Sequence, residues 1–302
     1  MRNLLLLISC CFILCNCDSS KTDAQIYPTN KKVLVIGIDG CRSDVLTNTI
    51  APFMNSLQSK STVAYNLEHK TETLTISGPN WASICTGVHH DKHQVTDNIF
   101  QGNNLKTYPH FFEFINQYYG KEKVNLVSFA VWFPINYFMT MLVADHSPVE
   151  FNYTDQQVYE LSAATLKDNA PVDPDVMFIH FDQLDHEGHA YGYHPDTAQY
   201  TQAVANVDNY VKGLYEIINT RKQANNEDWL VVIVSDHGGL GYGHDGGENI
   251  PEIRNTILFL DNPSMTSGVL DASQQVDIVP TILDFLEMDW SRFDLDGKSL
   301  IP

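Results

Sequence analysis

The chain has 302 residues, of which 43% are hydrophobic, and a formal net charge of −19. This length allows one large domain with a buried core, and the ordinary composition argues against an intrinsically disordered chain. The negative charge argues against nucleic-acid polymers and anionic membranes as partners, because both are polyanions.

The N-terminus has the features of an export signal. Arg2 precedes an apolar run over residues 4–14, which is shorter than the about 20 residues that span a bilayer. The end of this run resembles a bacterial lipoprotein signal, with Cys17 as the lipidated residue and Cys15 as a second candidate. We therefore expect a signal peptide over residues 1–17, a linker over 18–31 and a single domain over 32–302. The expected location is the periplasm or outer membrane of a bacterium, with a lipid anchor; ordinary cleavage to a soluble periplasmic product is the alternative.

Three short apolar runs, residues 33–38, 176–181 and 230–234, predict strands that are buried on both faces, as in a parallel sheet. Residues 124–130 and 256–260 are further strand candidates. Helical patterns lie between them, over residues 50–59, 110–119, 155–167, 197–221 and 277–286. Strands that alternate with helices predict an α/β fold with a central, mostly parallel sheet and helices on both faces.

Each of the three buried runs is followed by side chains of the kinds that bind metal ions. They are Asp39 after the first run, Asp185 and His189 after the second, and Asp236 and His237 after the third, with His244 in a glycine-rich loop beyond. Ligands of open α/β sheets bind outside the carboxyl ends of the strands, so these side chains are expected to converge. One such aspartate alone would be a turn former or a helix cap. Three sets with histidines at useful spacing favour a metal site.

The segment Ser77-Gly78-Pro79 predicts the start of a helix, because proline suits the first helical turn. Ser77 would then lie at a helix N-terminus, where free N–H groups and the helix dipole favour an anion. Taken alone, Ser77 is more simply an N-cap. Only Cys41 and Cys85 lie in the body of the chain, and both are expected to be small buried thiols rather than a disulfide.

From about Lys32 to its end, the chain resembles the alkaline phosphatase superfamily and, within it, the type I phosphodiesterase/nucleotide pyrophosphatase branch. The matching motifs occur in the family's order, over residues 37–40, 77–79, 86–88, 93–98, 185–189, 235–238 with 243–244, and 276–284 with 296–300. Two positions depart from the pattern. Gln94 stands where glycine is usual, and Ser77 stands where this branch usually has threonine. Serine is common at that position elsewhere in the superfamily, so the expected chemistry is kept.

The resemblance implies two divalent metal ions, with zinc expected. One would be held by Asp39, Asp236, His237 and the Ser77 oxygen, and the other by Asp185, His189 and His244. It also implies that Ser77 attacks phosphorus to give a phosphoseryl enzyme, and that Asn98 donates a hydrogen bond to a phosphate oxygen. We expect the N–H groups at the helix terminus near Ser77 to help stabilise the transition state.

The expected function is therefore metal-dependent hydrolysis of small phosphate esters, such as nucleotides, by a phosphodiesterase or nucleotide pyrophosphatase. The nucleophile motif contains no arginine to clamp a dianionic monoester, which favours diesters. Arg42 is expected to pair with Asp44. Alternatives are a phosphomonoesterase or a phosphonate hydrolase. A sulfatase is disfavoured by Trp81, which stands where those enzymes need arginine.

A rival of another class is a non-catalytic surface lipoprotein that retains the fold; the intact serine and metal-type residues disfavour it. Nothing in the sequence sets an oligomeric state. His180, inside a buried run, is expected to be a hydrogen-bonded partner rather than a metal ligand. The aromatic segment 129–138 is expected to pack in the core or form a lid, and stacking on a base or sugar is the alternative.

Overall fold

The computed structural model describes residues 26–167 and 170–302. The expected signal peptide, the lipidation candidate Cys17 and most of the expected linker lie outside these residues. Within them, no helix combines the length and the apolar character needed to cross a membrane.

A seven-stranded sheet with the strand order β3-β4-β1-β5-β6-β2-β7 forms the centre of the fold. Its strands are β1 (Lys31–Ile38), β2 (Val63–Lys70), β3 (Leu126–Ala130), β4 (Val176–Phe181), β5 (Asp228–Val234), β6 (Asn255–Asp261) and β7 (Gly268–Val269). The first four strands in this order are parallel, whereas β6 runs antiparallel to both β5 and β2. The predicted mostly parallel central sheet is confirmed.

Ten α-helices are found among the described residues. They are α1 (Pro52–Leu57), α2 (Ser77–Thr86), α3 (His90–His93), α4 (Phe111–Tyr119), α5 (Phe133–Ile135), α6 (Asp155–Thr165), α7 (Gln183–Tyr191), α8 (Ala198–Asn225), α9 (Pro251–Arg254) and α10 (Ile278–Phe285). A short π-helix, Asn136–Thr140, continues α5.

The sheet is covered on both faces, as predicted. Successive side chains of a strand point to opposite faces, and in β1 Val33 and Val35 join one apolar cluster while Leu34 and Ile36 join the other. The first cluster includes residues of α2, α4 and α10, and the second includes residues of α1, α6 and α8. Burial on both faces explains why β1, β4 and β5 are nearly continuous apolar runs.

Two local features fix the helices that carry the site. Helix α2 ends at Gly87, whose φ of +73° is the left-handed conformation that favours glycine at a helix C-terminus. The buried Asp155 carboxylate accepts hydrogen bonds from the backbone N–H groups of Asp182 and Gln183, at the start of α7. These bonds satisfy donors that a helix N-terminus otherwise leaves free, and they hold α7 against the end of β4.

Cys41 and Cys85 are both buried and unbridged within the described residues, in agreement with the sequence prediction.

Candidate active site

The metal-type residues found in the sequence lie together at one edge of the sheet. Strands β4, β1 and β5 are neighbours and run parallel, so their carboxyl ends meet. Asp39 follows β1, Asp236 and His237 follow β5, and helix α7 after β4 carries Asp185 and His189.

The first group of side chains surrounds His237. Its Nε2 atom lies 3.4 Å from Asp39 Oδ1, 3.2 Å from Asp236 Oδ2 and 3.2 Å from Ser77 Oγ. Ser77 is the first residue of α2, so the expected helix N-terminus is in place. The arrangement brings a serine hydroxyl into the same cluster as two buried carboxylates.

The second group surrounds Asp185. Its Oδ2 atom lies 3.5 Å from His189 Nε2, and its Oδ1 atom lies 3.8 Å from His244 Nε2. The two histidine Nε2 atoms are 3.2 Å apart. The two groups adjoin, because the rings of His237 and His244 stack with centroids 3.7 Å apart.

All three histidines present the same nitrogen to the carboxylates. Nδ1 of His237 lies 2.9 Å from the Gly238 carbonyl oxygen, and Nδ1 of His189 lies 2.9 Å from that of Tyr242. Nδ1 of His244 lies 2.6 Å from the carbonyl oxygen of Thr75. A carbonyl only accepts hydrogen bonds, so each Nδ1 carries the proton and each Nε2 offers a lone pair, as in metal-binding histidines.

The electrostatics of the cluster favour a cation. Asp39 Oδ1 and Asp236 Oδ2 are buried, and neither has a hydrogen-bond partner among the described residues. Burial, reinforced by the charges of neighbouring carboxylates, raises the pKa of both Asp39 and Asp236 well above the usual range. Burial, followed by the effect of His244, lowers the pKa of His237 and keeps it neutral. Unpartnered buried anions beside neutral imidazoles form a donor set that fits divalent metal ions, zinc among them.

Two side chains orient Asp39 through Oδ2, the oxygen that does not face His237. Trp81 Nε1 donates to Asp39 Oδ2 at 2.8 Å, and His180 Nε2 lies 3.2 Å from the same oxygen. The backbone N–H of Trp132 points to Nδ1 of His180, so Nε2 carries the proton and donates. His180 is therefore a hydrogen-bonded partner, as expected. A Cβ at Gly37 would lie 2.5 Å from the Trp81 ring, which explains this glycine in a buried strand.

Tyr193 is a site residue that the sequence did not reveal. Its hydroxyl donates to Asp185 Oδ1. Its ring fills the space where Gly188 and Gly239 have no side chain, since a Cβ at either glycine would lie within 2.3 Å of a ring atom. Asp182 is another residue that the sequence did not reveal, and its carboxylate lies close to that of Asp39 and to the ring of His180. Desolvation, followed by the charge of Asp39, raises the pKa of Asp182 to about 8.

Asn98 lies against the Ser77-Gly78-Pro79 turn. Its Oδ1 accepts a hydrogen bond of 2.7 Å from the Gly78 N–H, and this fixes the amide so that Nδ2 remains as the donor. The same contact occupies one of the helix-terminal N–H groups near Ser77, and Pro79 has none, so neither is available to bind an anion.

Arg42 is fully engaged elsewhere. Its guanidinium pairs with Asp44, as expected, and also donates to the carbonyl oxygens of Tyr193 and Gly239. It therefore clamps the loop after β5 and is not oriented as a phosphate ligand.

Comparison with known proteins identifies the family and the fold. The profile of the family "Type I phosphodiesterase / nucleotide pyrophosphatase" matches residues 33–248. The chain belongs to this family. Murine ectonucleotide pyrophosphatase/phosphodiesterase 5, in an inactive form complexed with AMP, superposes with a TM-score of 0.69 at 14% identity, covering 89% of this chain and 97% of that one. The lipoteichoic acid synthase LtaP from Listeria monocytogenes superposes with a TM-score of 0.63 at 16% identity, covering 91% of this chain and 77% of that one. The alkaline-phosphatase-like fold is confirmed.

Curated relatives include the GPI ethanolamine phosphate transferase 2 proteins of two yeasts. The Schizosaccharomyces pombe protein is 22% identical over 90% of this chain, and the Saccharomyces cerevisiae protein is 26% identical over 88%. This chain spans only 38% and 35% of their lengths. Because these relatives are eukaryotic transferases, the predicted location as a bacterial periplasmic or outer-membrane lipoprotein is wrong. A short signal-like N-terminus alone does not identify a bacterial envelope.

Proposed function

We propose that this phosphodiesterase-family protein cleaves small phosphodiesters with two divalent metal ions, zinc expected, and with Ser77 as the nucleophile. The observation that carries the proposal is the position of Ser77 Oγ, 3.2 Å from His237 Nε2 and beside buried carboxylate oxygens that have no partner in the described chain.

Seven residues would hold the ions in two adjoining sites. They are Asp39, Asp236, His237 and the Ser77 oxygen in one, and Asp185, His189 and His244 in the other. When bound, such ions act as Lewis acids and offset the charge that develops on phosphoryl oxygens.

The residues of the chain have separate tasks in the reaction. Ser77 Oγ forms a bond to phosphorus while the bond from phosphorus to the leaving alcohol breaks, and the serine proton ends on that alcohol. The product is a phosphodiester of Ser77, which water then cleaves to a monoester and free serine. Asn98 Nδ2 donates to a non-bridging oxygen, since its Oδ1 is held by Gly78.

Diesters are favoured over monoesters because the arginine nearest in sequence to Asp39 is not free to bind a second phosphate charge. A monoester brings a second negative charge, and the guanidinium nearest in sequence to Asp39, that of Arg42, is already bound to Asp44 and two carbonyls.

A second candidate is transfer of the phosphoryl ester from Ser77 to an acceptor alcohol instead of water. The relatives named ethanolamine phosphate transferases favour it. Both candidates share the first step and differ only in what attacks the phosphoserine ester.

The test uses the full chain with zinc, assayed on bis-p-nitrophenyl phosphate and p-nitrophenyl phosphate, with Ser77→Ala as control. We expect diester turnover well above monoester turnover, and a loss of at least about 10³-fold in the variant, with zinc binding kept through the remaining ligands. Added glycerol would divert product to a glyceryl ester if transfer operates. Monoester preference would favour the phosphomonoesterase alternative, and no turnover by the zinc-loaded protein would favour the non-catalytic rival.

A further inference from the structure

Thr75 joins the segment before Ser77 to the loop that carries His244. Thr75 is buried, and its Oγ1 atom donates to the carbonyl oxygen of His244 at 2.5 Å. The same atom accepts a hydrogen bond of 3.0 Å from the N–H of Gly247, which is possible because a hydroxyl both donates and accepts. The carbonyl oxygen of Thr75 accepts from His244 Nδ1 at 2.6 Å. Three hydrogen bonds from one residue therefore hold both the backbone and the ring of the His244 loop.

The loop itself is sparsely packed around His244. Three of its glycines would, with a Cβ added, have no atom of the described residues within 4 Å of that Cβ: Gly241, Gly243 and Gly246. Tyr242 is 69% exposed, whereas the His244 side chain is buried. The Asp245 carboxylate is 3.6 Å from His244 Nδ1 and largely exposed, which is too far for a hydrogen bond. The position of the His244 ring therefore depends on bonds from outside the loop, and Thr75 provides those to its Nδ1 atom and its backbone.

Asn80 fixes the other side of Thr75 to helix α2. It is fully buried in the first turn of α2, of which Ser77 is the first residue. Its Nδ2 atom donates to the carbonyl oxygens of Leu74 and Ile76, each at 2.7 Å. These two residues flank Thr75 in the chain. Thr75 is therefore held at a fixed place relative to Ser77, and the His244 loop is held to Thr75.

The atom that this arrangement aims is His244 Nε2. It lies 3.8 Å from Asp185 Oδ1 and 3.2 Å from His189 Nε2, in the second group of metal-type residues. We propose that Thr75 is a positioning residue that couples the two groups, because it sets both the direction of His244 Nε2 and its place relative to Ser77 Oγ. The inference rests on the proposed function for its kinetic readout. Its metal-binding readout is independent of turnover.

The binding test is a calorimetric zinc titration of the chelator-treated full chain. Thr75→Val keeps the shape of the side chain and the carbonyl bond to Nδ1, but it removes both bonds of Oγ1. We expect one of two binding steps to weaken at least about tenfold, as for other groups that orient a metal ligand, while the other step changes little. His244→Ala should abolish the same step and so identifies it. Thr75→Ser keeps the hydroxyl and should restore most of the affinity.

The matched control is Thr281→Val in α10. Thr281 is fully buried and makes the same pair of bonds, donating to the carbonyl oxygen of Asp277 at 2.6 Å and accepting from the N–H of Leu300 at 3.0 Å. Urea denaturation of the metal-free proteins should show that both valine variants lose stability, and only Thr75→Val should lose zinc affinity. Unchanged zinc affinity in Thr75→Val, or an equal loss in both variants, would overturn the proposal. If Thr75→Val does not fold, Thr75→Ala removes the same two bonds without crowding the groups left behind, and the same outcomes decide.

The kinetic test uses bis-p-nitrophenyl phosphate at zinc concentrations that fill both sites of Thr75→Val. We expect kcat to fall at least about tenfold, with a smaller change in KM, because Ser77 and His244 are no longer aligned. Thr75→Ser should recover kcat. Full kcat in the zinc-saturated valine variant would contradict the coupling to Ser77. No turnover by the wild type, with the loss of zinc affinity still confined to Thr75→Val, would contradict the proposed function and support the positioning role of Thr75.

Discussion

Two clusters in this protein combine buried carboxylates with histidines, and they differ in how the carboxylates are satisfied. At the carboxyl ends of β1, β4 and β5, Asp39 and Asp236 each keep one buried oxygen with no partner in the described chain. Behind helix α2, the buried Glu72 carboxylate is fully bonded. Its Oε1 accepts from Ser83 Oγ and His89 Nδ1, and its Oε2 accepts from His90 Nδ1.

The pKa shifts of the two clusters run in opposite directions. Burial and mutual repulsion raise the pKa of Asp39 and Asp236. Burial also opposes ionisation of Glu72, but its hydrogen bonds to His89 and His90 outweigh burial and lower its pKa to about 2. The same residue types therefore form two different clusters. The carboxylate oxygens of Glu72 all have hydrogen-bond partners, whereas Asp39 and Asp236 each have an unpartnered oxygen that a cation would stabilise.

Substitution of Asp236 by asparagine should give the largest effect and the sharpest contrast. We expect zinc affinity to fall by more than about 100-fold, since loss of an outer partner alone costs about 10–100-fold. In metal-free protein the same change should raise the free energy of unfolding by about 1 kcal/mol, because it relieves carboxylate repulsion. Calorimetric zinc titration and chelator-treated denaturation measure the two effects.

The control for this variant is Asp271→Asn, which changes an exposed carboxylate far from the cluster. A metal-free Asp236→Asn protein less stable than wild type would contradict the idea that repulsion among these groups destabilises the empty cluster.

The convergence of the metal-type residues could be predicted from the sequence for a local reason, whereas the Glu72 cluster was not predicted. Strand β4 matches the predicted residues 176–181, and β1 and β5 extend their predicted runs by two residues at the N-terminal side. Burial on both faces makes such strands continuous apolar runs, and the metal-type residues follow them directly in the chain. Their convergence then follows from the parallel sheet.

The rest depended on contacts between distant segments. Strand β2 was missed because it lies near the sheet edge, where only some of its side chains are buried and polar residues interrupt the run. Trp81 and Tyr193 bond to carboxylates 42 and 8 residues away, and no spacing rule marks an indole or phenol for that role. The glycines whose missing side chains leave room for these rings are Gly37, Gly188 and Gly239, and glycine alone does not indicate which ring occupies the space.

Replacement of Glu72 by glutamine tests the satisfied cluster. We expect a loss of about 2 kcal/mol in the free energy of unfolding, with or without zinc, because charge-assisted hydrogen bonds to a buried group are removed. Urea denaturation with and without chelator measures it. Glu68→Gln, at an exposed position on β2, is the matched control and should change stability little. A loss seen only in zinc-loaded protein would make Glu72 part of the metal site.

Tyr193→Phe removes one hydroxyl from the unsatisfied cluster and keeps the ring between Gly188 and Gly239. We expect zinc affinity to fall about tenfold, because Asp185 loses the donor that orients it, with little change in metal-free stability. Zinc titration and thermal denaturation separate these effects. Tyr65→Phe on β2 provides the comparison; equal zinc affinity in wild type and Tyr193→Phe would show that the hydroxyl does not position Asp185.

The smallest expected effect is the pH dependence of the Glu72 contribution, measured as the difference in unfolding free energy between wild type and Glu72→Gln. The pKa of Glu72 is lowered from 4.5 to about 2, so its contribution is present above about pH 4.5 and is lost as the pH falls toward 2. The hydrogen bond with Glu72 raises the pKa of His89 above 6.5. The stability that comes from protonated His89 is therefore complete below pH 6.5 and is lost as the pH rises through the raised pKa. The difference should therefore be greatest between about pH 4.5 and 6.5, and contributions from the metal cluster cancel because both proteins carry it. A difference that grows below pH 4.5 would show that Glu72 is not held as the ionised partner of these histidines.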